Sequence, residues 1–314
     1  MSKSRLKTRT DPPGAVLNPG VTPFLMKAVE GRWHRVAAEL ARNRRRCTEP
    51  GIHDLRVAVR RLLAVLDLAD AVLPGEVGAR PGRVLRRTLR SFSPLRDCHI
   101  RILALRALTR RFTVARPMLR EALLAEKELI REAARVIARF DTAAFERELS
   151  PIALALASIE DTPERSSAAS AVLAGVAARK YLRVTARAGK LSAGNTKTIH
   201  RLRVAFKEFR YAVEALLPLF HDVGKAQLRA MSAFQDGMGE IQDTEVLIAS
   251  VGKFAVTRGA AYPASVLNLQ RHLAQRKLAL VNSFMERAPA VTQFWPRRTP
   301  HAGASGASQT GSVT

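Results

Sequence analysis

The sequence predicts an all-α protein built as two related halves of four helices each, and three observations lead there. Ala, Leu and Arg dominate long segments whose apolar residues recur with helical spacing. Runs of β-branched residues are short. A nine-residue segment, Ile52–Arg60, returns 147 residues later as Ile199–Lys207 with six identical positions, while Arg60 and Lys207 keep the charge. An internal repeat of that length implies a duplicated supersecondary unit, so two halves of about 140 residues related by pseudo-twofold symmetry are expected.

The elements follow in order. A basic N-terminal arm over 1–19, expected to be flexible, precedes a helix at about 21–46, which stops at Glu49-Pro50-Gly51. The second helix, 51–73, carries the first repeat copy and ends at Leu73-Pro74-Gly75. Helices at 80–111 and 116–140, separated at Arg116-Pro117, complete a first half assigned to 20–157. The polar stretch Ser158–Ser167 reads as a linker. A second half, 168–296, takes helices at 165–190, 196–220, 224–257 and 263–288, with breaks at Ala188-Gly189-Lys190 and Tyr262-Pro263. The Gly/Ser/Thr/Ala-rich end, 297–314, reads as a disordered tail.

Charge is the feature that needs a function. Lys and Arg number 52 against 27 Asp and Glu, for a net +25 and a pI near 11.4, and 41 of the cations are Arg. Hydrophobic residues make up 47%, an ordinary globular share, so the charge is carried by a folded body. No run of 18 apolar residues exists, so no membrane span is expected, and the basic N-terminus lacks the apolar segment of a secretory signal. Cys47 and Cys98 make no disulfide framework and lack metal-ligand spacing. These features point to a soluble cytoplasmic protein with a polyanionic partner.

Where the cations fall is informative. Helical positions i, i+3, i+7, i+10 and i+14 share an arc of about 80°. They are His53, Arg56, Arg60, Leu63 and Asp67 in the first copy, and His200, Arg203, Lys207, Arg210 and Glu214 in the second. The opposite faces are apolar: Leu55, Val59, Leu62 and Leu66, and Leu202, Phe206, Phe209 and Val213. Upstream helices carry further basic rows, Arg32, Arg35, Arg42 and Arg46 around Glu39, and Arg179, Arg183, Arg187 and Lys190. Arg179 and Lys180 stand where the first half has Arg32 and Trp33. Arg offers a planar fork suited to phosphate, and each His lies near a helix N-terminus that favours an anion.

A basic stripe opposite an apolar one is also what any solvated helix shows. Here the stripe occurs twice in one frame and lacks the alternating acids of a solvated Arg face. Asp97 and Asp243, in the corresponding turns Leu95-Arg96-Asp97 and Ile241-Gln242-Asp243, read as residues that orient Arg side chains, as does Glu214. Tyr211 either donates its hydroxyl or packs, and Arg83, Arg86, Arg87 and Arg90 line one side of the third helix. No P-loop, HExxH or paired acidic cluster is present, so no catalytic residue, cofactor or metal site is expected; a two-Asp site from Asp97 and Asp243 would revive catalysis.

The repeated His-x-x-Arg-x-x-x-Arg/Lys helix, the Arg210-Tyr211-x-x-Glu214 continuation and the two Asp-ending turns resemble the CHAD family, the conserved histidine α-helical domain, over roughly 20–296. The resemblance implies two four-helix bundles around a basic central channel, binding of long-chain inorganic polyphosphate, and association with polyphosphate granules. It implies phosphate contacts from His53, Arg56, Arg60, His200, Arg203, Lys207 and Arg210. Two departures make the halves electrostatically unequal: Leu63 stands opposite Arg210, and Arg61 opposite Glu208. Glu126-Lys-Glu128 lacks the Lys of the Glu-x-Glu-x-Lys strand found in fused relatives, so a stand-alone module is expected. The competing expectation is a nonspecific nucleic-acid-binding protein using the same basic faces, with weak binding at low salt expected in either case; against it, 3 Tyr and 2 Trp supply few stacking platforms.

Overall fold

A computed structural model describes residues 20–219, 224–258 and 261–295. The arm over 1–19 and the tail over 297–314 lie outside them. Among the described residues ten α-helices and no strand occur: α1 (Val21–Arg45), α2 (Glu49–Val72), α3 (Ala79–Ser91), α4 (Ser93–Leu108), α5 (Ala115–Ala138), α6 (Thr142–Ala157), α7 (Pro163–Ala188), α8 (Thr196–Leu216), α9 (Lys225–Arg258) and α10 (Pro263–Arg287). The protein is all-α, as the sequence predicts.

Local chemistry accounts for most boundaries. The Thr48 hydroxyl accepts from the Gly51 N–H, with Glu49 and Pro50 in the first turn of α2. Asn195 Oδ1 accepts from the Lys197 N–H to start α8, and Thr162 with Pro163 starts α7 two residues before the expected 165, inside the stretch read as linker.

Two differences have physical causes. The helix expected over 80–111 is interrupted at Phe92, because Pro94 has no N–H to continue the ladder to Arg90. The Ser91 and Ser93 hydroxyls bond the Thr88 and Leu89 carbonyls there, and the Phe92 ring is fully buried. Conversely, 142–157 forms a helix despite Pro151 in its interior. Pro151 lies on the exposed side, while Phe145, Leu149, Ile152 and Leu156 are buried, with Phe145 4.8 Å from Trp33 of α1. Burial of four large side chains outweighs the roughly 3 kcal/mol that an interior proline costs.

The interior forms three apolar clusters. The first gathers α1, α2, α3 and α6 with the end of α5, the middle of α7 and the end of α8. The second packs Phe206 and Phe209 of α8 against Met231, Phe234 and Met238 of α9, Phe284 of α10 and Phe294. The third joins α4 and α5 (Ile102, Leu105, Met118) to the distal half of α9 (Leu247, Val251, Phe254) and the proximal half of α10 (Val266, Leu269, Leu273). Each half of the chain thus contributes to a shared core. α2 packs against α1, α3, α7 and α8, which brings the two repeat helices side by side.

Candidate functional site

The site begins with the polar faces of α2 and α8. The apolar face of each is anchored in a core, Leu55, Val59 and Leu62 in one, Leu202, Phe206 and Phe209 in the other, so the opposite faces meet in a cleft. Arg60 of α2 and Arg203 and Lys207 of α8 line this cleft, of about 440 Å³, together with Arg86 of α3, Lys180 and Arg183 of α7, and Tyr211. Arg56 lies one turn back and is only 6% exposed, because helices flank α2 on several sides. Its guanidinium donates to the Leu89 carbonyl of α3 at 3.3 Å.

These cations lie close enough to disfavour one another's charge. Burial, then Arg60, Arg203, Arg56 and Arg96, push the Lys207 ammonium down to about 6. Burial, then Arg60 and Arg96, bring Arg56 down to about 10. Arg60 and Arg203 are also lowered, burial being the largest cause and Arg96 adding repulsion in both; the Tyr211 phenol oxygen, hydrogen-bonded to Arg60, opposes the shift there. Arg203 carries a buried Nε without a hydrogen-bond partner. Like charges a few ångström apart repel by about 4 kcal/mol at an effective dielectric of 20, so a cluster of this kind is held against its own electrostatics by the packing around it.

Arg96, at the start of α4, is the hub. Its two terminal nitrogens reach Asp97 at 3.2 Å and Asp243 of α9 at 3.0 Å, tying the first half to the second. Both predicted orienting aspartates therefore converge on one guanidinium. Among the described residues no group of three or more His, Cys, Asp or Glu is placed to hold a metal. Burial raises the Asp243 carboxyl even though Arg96 and Arg203 oppose the shift.

The remaining predicted residues divide. Glu214 binds Arg61 of α2 at 2.6 Å and Arg210 at 3.7 Å; Arg210 also donates to Gln235 Oε1 at 3.0 Å and stacks 4.6 Å over the Tyr211 ring. Arg210 is thus compensated, unlike Lys207. At the cleft rim Lys180 pairs with Asp67 at 3.1 Å, and Arg183 faces Glu208 at 3.8 Å. His200 is exposed and lines a second groove of about 490 Å³ between α7 and α8, with Arg187, Lys190 and Arg201. Groove and cleft share Arg183, Val204 and Glu208, so they form one basic path. His53 is exposed in the first turns of α2, apart from the residues that line cleft and groove. Arg32, Arg35 and Arg179 line neither; Arg35 is held by Glu39 at 2.6 Å.

Arg96 was not singled out from the sequence, although its signal is present: the first half has a cation where the second has Gln242. Arg86, read only as part of a row on the third helix, faces the cleft.

The sequence profile of the CHAD domain matches residues 27–251. The fold resembles the crystal structure of the CHAD domain from the plant Ricinus communis, with a TM-score of 0.67 at 16% identity, covering 90% of this chain and 97% of that one. It also resembles PptA from Streptomyces chartreusis, with a TM-score of 0.59 at 18% identity, covering 87% and 98% respectively. No curated protein sequence matches this chain.

Proposed function

Because the chain belongs to the CHAD-domain family, we propose that it binds inorganic polyphosphate without catalysis, through the cleft between α2 and α8. The observation that carries this reading is the crowding of Arg56, Arg60, Arg203 and Lys207 around Arg96, with Lys207 pushed down to about 6. A polyanion laid in the cleft supplies the missing negative charge, lets Lys207 regain its proton, and gives the Arg203 Nε an acceptor. Linear polyphosphate has no base or sugar to accommodate, so charge density alone recognises it. Arg forks contact successive phosphate oxygens, while Arg86, Lys180 and Arg183 extend the contact outward, and the groove at His200 continues it. His53, Arg32, Arg35 and Arg179 add long-range attraction from the surface. Such a protein would concentrate at polyphosphate granules.

Counterion release makes this binding steeply salt-dependent. The test compares long-chain polyphosphate with duplex DNA at about 150 mM salt, for the native chain and for Arg203→Ala/Lys207→Ala. Tight polyphosphate binding, weak DNA binding and a large loss in the variant support the cleft. Equal affinity for both polymers, or an unaffected variant, reduces the site to a diffuse basic surface and favours the nucleic-acid reading.

A further inference from the structure

At the far end of α4 from Arg96, the α4–α5 turn and the first half of α10 enclose a second polar hollow, of about 510 Å³. With a rise of 1.5 Å per residue, α4 alone separates it from Arg96 by about 20 Å. The turn contributes Arg111 and Thr113; α10 contributes Asn268, Arg271, His272 and Gln275, spaced i, i+3, i+4 and i+7 on one helix face. Those side chains offer amide, guanidinium, imidazole and hydroxyl groups that can donate hydrogen bonds, and no carboxylate lines the hollow.

The arrangement is held in place from beneath. The buried Phe112 ring has His272 against it at 5.2 Å between centroids and the Arg111 guanidinium 5.3 Å from its centre. The Ser265 hydroxyl accepts from the Val114 N–H at 3.1 Å and from the Thr113 hydroxyl at 3.0 Å, fixing the turn to α10. Neither Arg111 nor Arg271 has an ion-pair partner among the described residues, whereas cations elsewhere on the surface, such as Arg35, Arg131 and Arg258, are paired. Burial, then Arg111 and Arg276, lower the His272 imidazole, so this hollow too holds cationic groups short of negative charge.

We propose that the hollow bounded by Arg111, Thr113, Asn268, Arg271, His272 and Gln275 is a second phosphate-binding site, independent of the α2–α8 cleft. Arg111 and Arg271 approach the anion from the two sides of the hollow, His272 donates from its floor, and the Asn268 and Gln275 amides bind the outer oxygens. The phosphate has two sources: a free small phosphate, or a segment of a long chain whose other part lies in the cleft. In the second case the two sites act as linked modules, and the chain gains avidity from spanning them.

His272 reports the site directly. Protein labelled at histidine is titrated with orthophosphate, tripolyphosphate and long-chain polyphosphate, following the His272 ring signals by NMR, in the native chain, in Arg203→Ala/Lys207→Ala, and in Arg111→Gln/Arg271→Gln. The expected result is a saturable His272 shift that survives the cleft variant and weakens by about tenfold or more in the hollow variant. A shift with orthophosphate or tripolyphosphate assigns the free ligand; a shift with long chains alone, reduced by the cleft variant, assigns the bridging chain. No His272 shift with any of the three, or one undiminished in Arg111→Gln/Arg271→Gln, overturns the site. Because Arg111 and Arg271 are exposed, their replacement leaves the fold intact, and the two double variants fail or succeed separately.

Discussion

Lys207 provides the most demanding test, because its charge state in the empty cleft differs from that expected with phosphate bound. With a value of about 6, about one Lys207 in ten carries its proton at pH 7. A polyanion alongside it favours the ammonium, so binding at pH 7 should take up about 0.9 proton per chain. Isothermal titration calorimetry with long-chain polyphosphate, in buffers of different ionisation enthalpy, reads this uptake as the slope of observed heat against buffer enthalpy. The slope should fall towards zero near pH 5, where Lys207 is already charged. Above pH 6 affinity should weaken by up to tenfold per unit. Lys207→Met should remove both effects while the fold persists. The folded protein also holds fewer protons at Lys207 than the unfolded chain between about 6 and the ordinary 10.5. Its stability without polyanion should therefore rise with pH through that window, and less so in Lys207→Met. A native protein whose binding heat is indifferent to buffer at pH 7 would refute the reasoning.

Three further outcomes follow from the packing. Arg96→Met leaves Asp97 and Asp243 without their shared cation but also relieves its repulsion of Arg56, Arg60, Arg203 and Lys207; since the three paired groups are partly exposed, the net cost should be below about 1 kcal/mol in urea unfolding, and Asp243→Asn should recover part of it. Phe206→Ala empties space amid Phe209, Phe234 and Phe294 and should cost about 3–5 kcal/mol, read as a lower urea midpoint. Gly31→Ala, where an added methyl meets open space within α1, should stabilise by roughly 0.5–1 kcal/mol, whereas Gly51→Ala collides with Asn43 Oδ1 and should lower the melting temperature.

Much of this architecture was legible because its signals are local. Thr48, Asn195 and the prolines at 50, 163 and 263 act within one turn of where they stand, and the helix starts they announce are found within a few residues. Pro94 and Pro151 show the limit. Each interrupts the helical ladder to the same degree, but Phe92 is buried where the chain breaks, while Pro151 faces water and Phe145 to Leu156 keep the helix whole. Tertiary burial decides between them, and a single sequence does not display it. The site divides along the same line. The row Arg56, Arg60, Arg203 and Lys207 follows from helical spacing, whereas Arg96 owes its place to Asp243, a contact 147 residues away. Likewise the spacing that groups His200 with Lys207 on one arc gives no hint that the groove and the cleft divide between them.

The third apolar cluster bears on how the protein is made. α4 and α5 leave the ribosome well before α9 and α10, whose side chains complete that cluster. Until residues beyond Lys225 emerge, Ile102, Leu105 and Met118 have no permanent cover, and the Arg96–Asp243 tie cannot close. Pairings this distant in sequence are slow to form, and the intermediate that waits for them exposes both an apolar face and a row of unneutralised cations. A nascent chain stalled there would attract nucleic acid and other polyanions indiscriminately. The last helices thus close what the first half leaves open: α9 and α10 cover Ile102, Leu105 and Met118, and Asp243 gives Arg96 its second carboxylate.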